Sequence, residues 1–237
     1  MPLPVFYIAA LDSGLDEIDL SEDSSKHIVQ VLRMQTGERL ELTDGKGCLL
    51  TAEIIADNKK KCRVSVMEST IQQAPEKNIC IGISLIKNSG RFEWFLEKAT
   101  ELGVTRILPL VCERTEKQQF RYERMKSILL SAMLQSRQCW LPELHEPVLF
   151  CDFWSGTPAI YQQKFIAHCM EGEKGELTDL LNGDLSSKMM LIGPEGDFTI
   201  EEVDQAVRNH FLPVSMGKNR LRTETAGVVA ASLLCLV

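Results

Sequence analysis

Glycine, proline and acidic residues crowd one short stretch of this chain, Gly193-Pro194-Glu195-Gly196-Asp197-Phe198. Two glycines let a ligand come close to the backbone. Glu195, Asp197, Glu201 and Glu202 set four carboxylates at one turn. That density of negative charge opposes a polyphosphate and tolerates a ligand carrying positive charge, such as a sulfonium. The phosphate-cradling patterns G-x-x-x-x-G-K-[ST] and G-x-G-x-x-G do not occur in the sequence, so motif and charge together disfavour ATP and NAD. The same residues also fit an ordinary strand-to-helix turn whose glycines serve only its dihedrals.

The flanking residues say what positions this stretch. Met189 to Ile192 form a short apolar run suited to a buried strand, and Thr199-x-x-Glu202 ahead of Val203, Ala206, Val207 and Phe211 is a capping-box signature. Residues 193–198 therefore read as a strand-to-helix loop, at the carboxyl edge of an α/β sheet where ligands bind. From residue 78 onward strands and helices alternate. Ile79–Ile86 reads as a strand, Phe92–Leu102 as a helix closed by Gly103, Ile107–Val111 as a strand and Lys117–Cys139 as a long helix. Further strands at Phe165–Cys169 and Leu212–Met216 complete an expected, mostly parallel sheet.

The N-terminal part has a different rhythm. A short helix is expected at His27–Met34, ended by Gly37. Short alternating strands follow around Leu40 and Leu42, at Cys48–Ile55 and at Cys62–Val66, with a hairpin signal at Asp44-Gly45. This pattern suggests a small barrel over residues 1–72, followed by an α/β domain over residues 73–237, with the polar Gln72–Asn78 segment at the boundary. After Glu224 the chain carries no charge, so its last helix must be buried on more than one side, in its own core or against a partner.

Composition removes several classes. No apolar stretch approaches the roughly 20 residues of a membrane span, and the N-terminus lacks a signal-peptide pattern, so a cytoplasmic location is expected. The eight cysteines show no C-x-x-C and no histidine pairing, so neither a zinc site nor a disulfide framework is indicated. A net charge of −7 argues against indiscriminate nucleic-acid binding, yet residues 24–72 hold a local excess of Lys and Arg, with Lys59-Lys60-Lys61 and Arg63. A basic face on an acidic protein and a solvated hairpin tip both fit that run.

Two loops, LIGPEGDFT and MGKNRLRTETA at 216–226, resemble the paired signatures of the RsmE family, bacterial methyltransferases that modify N3 of a uridine in 16S ribosomal RNA with S-adenosylmethionine. The resemblance continues in order along the chain. It includes His27 with Val31-Leu32-Arg33, Thr43-Asp44-Gly45, Phe92-Glu93-Trp94 leading to Lys98–Gly103, Pro109 with Glu113-Arg114, and Gln135-Ser136 with Arg137 and Pro142. It implies a PUA-like RNA-binding barrel followed by a SPOUT methyltransferase domain with a deep trefoil knot around the cofactor. Leu191, Gly193, Pro194 and Gly196 are then expected on one side of the cofactor, and Met216, Gly217, Leu221 and Arg222 on the other. Arg33, Lys87 and Arg91 are the candidates for RNA phosphates, and a homodimer is expected through the uncharged last helix. No metal is implied.

The chemistry this implies is specific. Uracil N3 must lose its proton before its lone pair can accept a methyl group, and negative charge then spreads to the flanking carbonyl oxygens. Arg222 is the motif cation best placed to stabilise that charge; the alternative is that Glu195 or Glu224 takes the proton, which requires a carboxylate whose pKa is raised by burial. Two other readings fit the same signatures: a SPOUT enzyme that methylates tRNA or a ribose 2′-hydroxyl, or a catalytically silent RNA-binding assembly factor.

Overall fold

The computed structural model of the chain describes residues 2–9, 16–155 and 160–237. They form two compact units, one of residues up to Ala74 with Met133–Leu141, the other of Pro75–Ala132 with Pro142–Val237.

The first unit is a five-stranded sheet in the order β1-β3-β4-β5-β2, with β1 at Val5–Tyr7, β2 at Glu17–Asp19, β3 at Arg39–Thr43, β4 at Cys48–Ala56 and β5 at Arg63–Ile71. The alternation of Leu40, Leu42, Leu50, Ala52, Ile54, Cys62 and Val64 turns one face inward, where all are buried around Ile28. At the β3–β4 turn the Asp44 carboxylate accepts from the Lys46 and Cys48 amides, and Gly45 takes φ 69°. Residues 139–141 belong here by contact: the Gly47 amide donates to Cys139 O, and the Leu141 amide donates to Gly45 O. The indole of Trp140 lies so close to Gly47 that a Cβ would stand 2.4 Å from it.

The helical segment differs from its sequence expectation. Helix α1 begins earlier, at Glu22–Lys26, because the Ser21 hydroxyl caps the Ser24 amide, and it continues as a π-helical turn over His27–Val31. Arg33, at φ 58°, ends it before Gly37 is reached. Val31, Leu32 and Arg33 are left exposed.

The second unit is an all-parallel sheet. Strands β6 (Asn78–Ser84), β7 (Arg106–Val111), β8 (Glu143–Leu144), β9 (Val148–Leu149), β10 (Gln163–Ala167), β11 (Gly175–Glu176), β12 (Ser187–Ile192) and β13 (Leu212–Ser215) take the order β11-β13-β10-β12-β6-β7-β8, with β9 also on β7. The continuous apolar strands of the sequence are those buried on both faces: Ile79–Ile83 and Met189–Leu191 are all but inaccessible.

Helix α2 (Ser89–Leu102) starts where the Asn88 side chain accepts from the Gly90 and Arg91 amides and stops at Gly103, φ 93°. Helix α3 (Tyr122–Gln135) is shorter at both ends than the expected Lys117–Cys139, and Arg137 at φ 59° breaks it. A single turn, α4 (Leu177–Leu180), precedes α5 (Ile200–Arg208), whose capping box is formed on both sides: Glu202 N donates to Thr199 Oγ1 at 3.2 Å, and Thr199 N to Glu202 Oε2 at 2.9 Å. The uncharged terminal helix α6 (Thr223–Leu236) packs on α2, β6 and β12, and Gly227 allows this, since a Cβ there would lie 2.6 Å from the Phe95 ring.

Candidate functional site

The strands β10, β12 and β13 are neighbours, so their carboxyl ends deliver three loops to one edge of the sheet. Between them lies a cavity of about 590 Å³ whose walls include residues 167–169 with Lys174, residues 192–195 with Asp197, and residues 214–224 with Ala226 and Arg91. That position is the crevice where ligands of open parallel sheets bind.

The loop after β12 is firmly held. Gly193 and Pro194 are buried, and a Cβ on Gly193 would stand 3.0 Å from the Phe198 ring, itself wholly buried. Thr223 Oγ1 donates to Gly193 O at 3.0 Å, and the Arg114 guanidinium donates to Gly196 O at 2.9 Å and Phe198 O at 3.2 Å. Glu195 accepts from the Lys87 amide at 3.0 Å. Asp197 sits at φ 65°, and its two oxygens accept from the Cys169 and Phe198 amides.

The loop after β13 is open by contrast. Gly217, Lys218, Asn219, Arg220 and Arg222 are exposed, and Met216 and Leu221 are half-buried. Before Thr223, a side-chain tie to the facing loop runs from Arg220 Nη2 to Glu195 O at 3.4 Å. Arg222 stands at the N-cap of α6 and, among the described residues, forms no ion pair with Glu195 or Glu224. Glu224 is buried to 6% exposure and faces Arg91, whose Nε lies 3.6 Å from it. A second, shallower groove continues from this rim along Gly90, Arg91, Trp94, Arg220, Leu221, Arg222, Glu224 and Thr225.

The third wall, after β10, was not singled out in the sequence. It brings Ala167, His168, Cys169 and Lys174 to the cavity, with Lys174 Nζ donating to His168 O at 3.1 Å and Met170 O at 2.7 Å. Burial, and then the Lys174 charge, hold the His168 imidazole below its usual pKa, which favours the neutral ring. The signal available was the end of the expected strand Phe165–Cys169: at the carboxyl edge of a parallel sheet, the residues just past each strand are candidates as a class.

Of the residues expected around the cofactor, Gly193, Pro194, Met216, Gly217, Leu221 and Arg222 line the cavity. Leu191 lies in the apolar core and Ile192 takes the wall position instead, while Gly196 turns its α-carbon toward the Arg114 side chain. The three residues expected to do chemistry, Glu195, Arg222 and Glu224, are all on the wall. Of the RNA candidates, Arg91 lines the cavity, Lys87 is exposed with its ammonium 2.9 Å from Glu116, and Arg33 is exposed in the first unit after the π-helical turn. No group of His, Cys, Asp and Glu able to hold a metal is found among the described residues.

Known proteins share both units. Residues 72–235 match the family model described as an RNA methyltransferase domain, and residues 20–67 match an RNA methyltransferase PUA domain. Ribosomal RNA small subunit methyltransferase E of Synechocystis is 30% identical over 220 residues, 90% of this chain and 71% of that protein. The Rickettsia conorii protein of the same name is 25% identical over 239 residues, 98% of this chain and 94% of its own. Among solved structures, a probable rRNA-methyltransferase from Porphyromonas gingivalis superposes with a TM-score of 0.90 at 38% identity over 99% of both chains. A ribosomal RNA small subunit methyltransferase E from Neisseria gonorrhoeae, solved bound to S-adenosyl methionine, gives 0.86 at 29% identity over 98% of this chain and 96% of that one.

Proposed function

We infer the activity from membership and site together: the chain belongs to the ribosomal RNA small subunit methyltransferase E family, and it transfers a methyl group from S-adenosylmethionine to N3 of a uridine in 16S ribosomal RNA. The observation that carries this reading is the convergence of the 193–198 and 216–224 loops on one cavity, with Arg222, which has no ion pair among the described residues, and two carboxylates at its rim.

The residues present fit the cofactor. The Gly193 and Pro194 backbone on the cavity wall suits an adenine edge, Ile192, Val214, Met216 and Leu221 exclude water around it, and Glu195 and Asp197 suit positive charge. The cofactor supplies an electrophilic methyl on a sulfonium. The protein's part is to make uracil N3 nucleophilic. The Arg222 guanidinium stabilises the charge that spreads over the imide carbonyls, and Glu195 or Glu224 receives the N3 proton. Asp197 is unsuited to that task, since both its oxygens are occupied by backbone amides.

Arg33, Lys87 and Arg91 are assigned to RNA phosphates, which orient the substrate in the small ribosomal subunit without reading its sequence. We propose a homodimer through α6, and the support is that Thr225, Val228, Val229 and Ser232 are only half-buried and Leu236 is exposed, a largely apolar stripe at helical spacing. The N-terminal barrel boundary near residue 72, the trefoil knot formed by the loops around the cavity, and a cytoplasmic location belong to the same reading. No described helix is long and apolar enough to cross a membrane.

The test is transfer of labelled methyl from S-adenosylmethionine to small subunits, naked 16S rRNA and tRNA, followed by nuclease digestion and mass spectrometry. 3-Methyluridine in 16S rRNA is expected. Label in tRNA or on a ribose would favour the related SPOUT activities, and no transfer at all would favour the silent assembly factor. Arg33→Glu is expected to weaken rRNA binding and lower its salt slope by about one while leaving cofactor affinity intact.

A further inference from the structure

Asp197 holds a backbone conformation that glycine adopts freely and other residues rarely do, φ 65°. What it does there is visible in its contacts. Oδ1 accepts from its neighbour Phe198 N at 2.9 Å, and Oδ2 reaches across to the loop after β10, accepting from Cys169 N at 2.8 Å. The carbonyl of the same His168–Cys169 peptide accepts from Lys174 Nζ at 3.1 Å. Both polar groups of that one peptide are therefore fixed by side chains, and the plane that follows the His168 α-carbon cannot rotate.

The ring this peptide orients has an unmet need. His168 Nδ1 is buried and has no hydrogen-bond partner in the protein. A buried polar atom in that state is costly unless something else satisfies it. Among the described residues the other such side-chain nitrogens belong to Trp140, His145 and Trp154, none of which lines the cavity, whereas His168 does.

We propose that His168 hydrogen-bonds the bound cofactor through Nδ1, and that Asp197 is a positioning residue that aims it by latching the Cys169 amide. This rests on S-adenosylmethionine as the occupant of the cavity. The Asp197 carboxylate reaches the cofactor through the loop, since both its oxygens accept from backbone donors; Asp197→Asn, which removes the charge and keeps an acceptor, separates this role from attraction of the sulfonium.

The experiment is calorimetric titration of S-adenosylmethionine into the full chain and into Asp197→Gly, Asp197→Asn, His168→Ala and the Asp197→Gly/His168→Ala double variant, with melting temperatures alongside. Glycine accepts the left-handed backbone, so Asp197→Gly removes the latch without strain. It should weaken binding roughly tenfold, the scale of one lost hydrogen bond. Asparagine keeps an acceptor for Cys169 N and should stay within about threefold of the parent on the same scale. His168→Ala should cost about as much as Asp197→Gly, and the double variant no more than either single change, since both remove one interaction. Parental affinity in Asp197→Gly or His168→Ala, or losses that add in the double variant, would overturn the proposal. Asp197→Asn as weak as Asp197→Gly would overturn it in favour of direct charge attraction. A parent chain that does not bind S-adenosylmethionine would instead overturn the functional reading beneath it.

Discussion

The two loops that face each other across the cavity are built on opposite principles. The one after β12 is packed: Gly193, Pro194 and Phe198 are buried, side chains from α6 and from the segment after β7 bond to its backbone, and its own Asp197 carboxylate accepts from the Cys169 amide of the loop after β10. The one after β13 carries Lys218, Asn219, Arg220 and Arg222 into solvent, with a long tie across from Arg220 to Glu195 O. A packed wall gives the cavity its shape, and an open wall gives it charge that can meet a substrate. Substitutions of the buried residues in the first should therefore cost stability and cofactor affinity together, and substitutions of the exposed Arg222 in the second should cost rate alone.

The largest effect is expected at Arg222. Arg222→Ala should lose roughly 10²–10³ in single-turnover methyl transfer, the scale for removing one preorganised donor to developing charge. Its melting temperature and cofactor affinity should match the parent, because the side chain is exposed and unpaired among the described residues. Raising the pH should recover part of the rate, as hydroxide takes over removal of the N3 proton. Loss of cofactor binding in this variant would place Arg222 with the packed wall and erase the contrast.

Gly193→Ala tests the other side. The added Cβ would stand 3.0 Å from the Phe198 ring and 3.1 Å from its amide, in a core that has no room to yield. Overpacking of this kind costs about 1–3 kcal/mol. A lowered melting temperature and weaker cofactor binding should appear together in thermal denaturation and calorimetry. If Gly193→Ala slows transfer but melts and binds like the parent, the packed wall is not what shapes the site.

Which parts of this arrangement were legible in the sequence follows from how local their causes are. The capping box at Thr199 and Glu202, the Asp44-Gly45 turn and the stop at Gly103 are each settled by residues within a few positions, and each stands where the pattern put it. The wall after β10 was silent because His168 and Lys174 matter only through the order β13-β10-β12, which no local pattern encodes. Leu191 and Ile192 show the same limit on a smaller scale. In a strand buried on both faces every residue is apolar, so the pattern cannot tell which one faces the core and which the cavity. Left-handed Arg33, Arg137 and Asp197 were equally hidden, since side chains of these types do not announce φ > 0 as glycine does.

The smallest effect is expected at Gly196, and it sharpens the contrast from within the packed wall. Sequence alone suggests that this glycine gives the cofactor access to the backbone. The structure gives its α-carbon another neighbour: a Cβ there would meet the Arg114 side chain at 3.3 Å and 3.5 Å. The nearer atom is Arg114 Cβ, held by its backbone, so relief needs a shift of a few tenths of an ångström between the two loops, which the exposed position of Gly196 permits while the guanidinium keeps its bonds to Gly196 O and Phe198 O. Gly196→Ala should therefore change stability by less than about 1 kcal/mol. Cofactor affinity should hold within about twofold, a few tenths of a kcal/mol. A tenfold loss by calorimetry would mean that the bound state draws Gly196 toward the ligand. The packed wall would then be a surface that closes on the cofactor, and its rigidity would belong to the empty cavity alone.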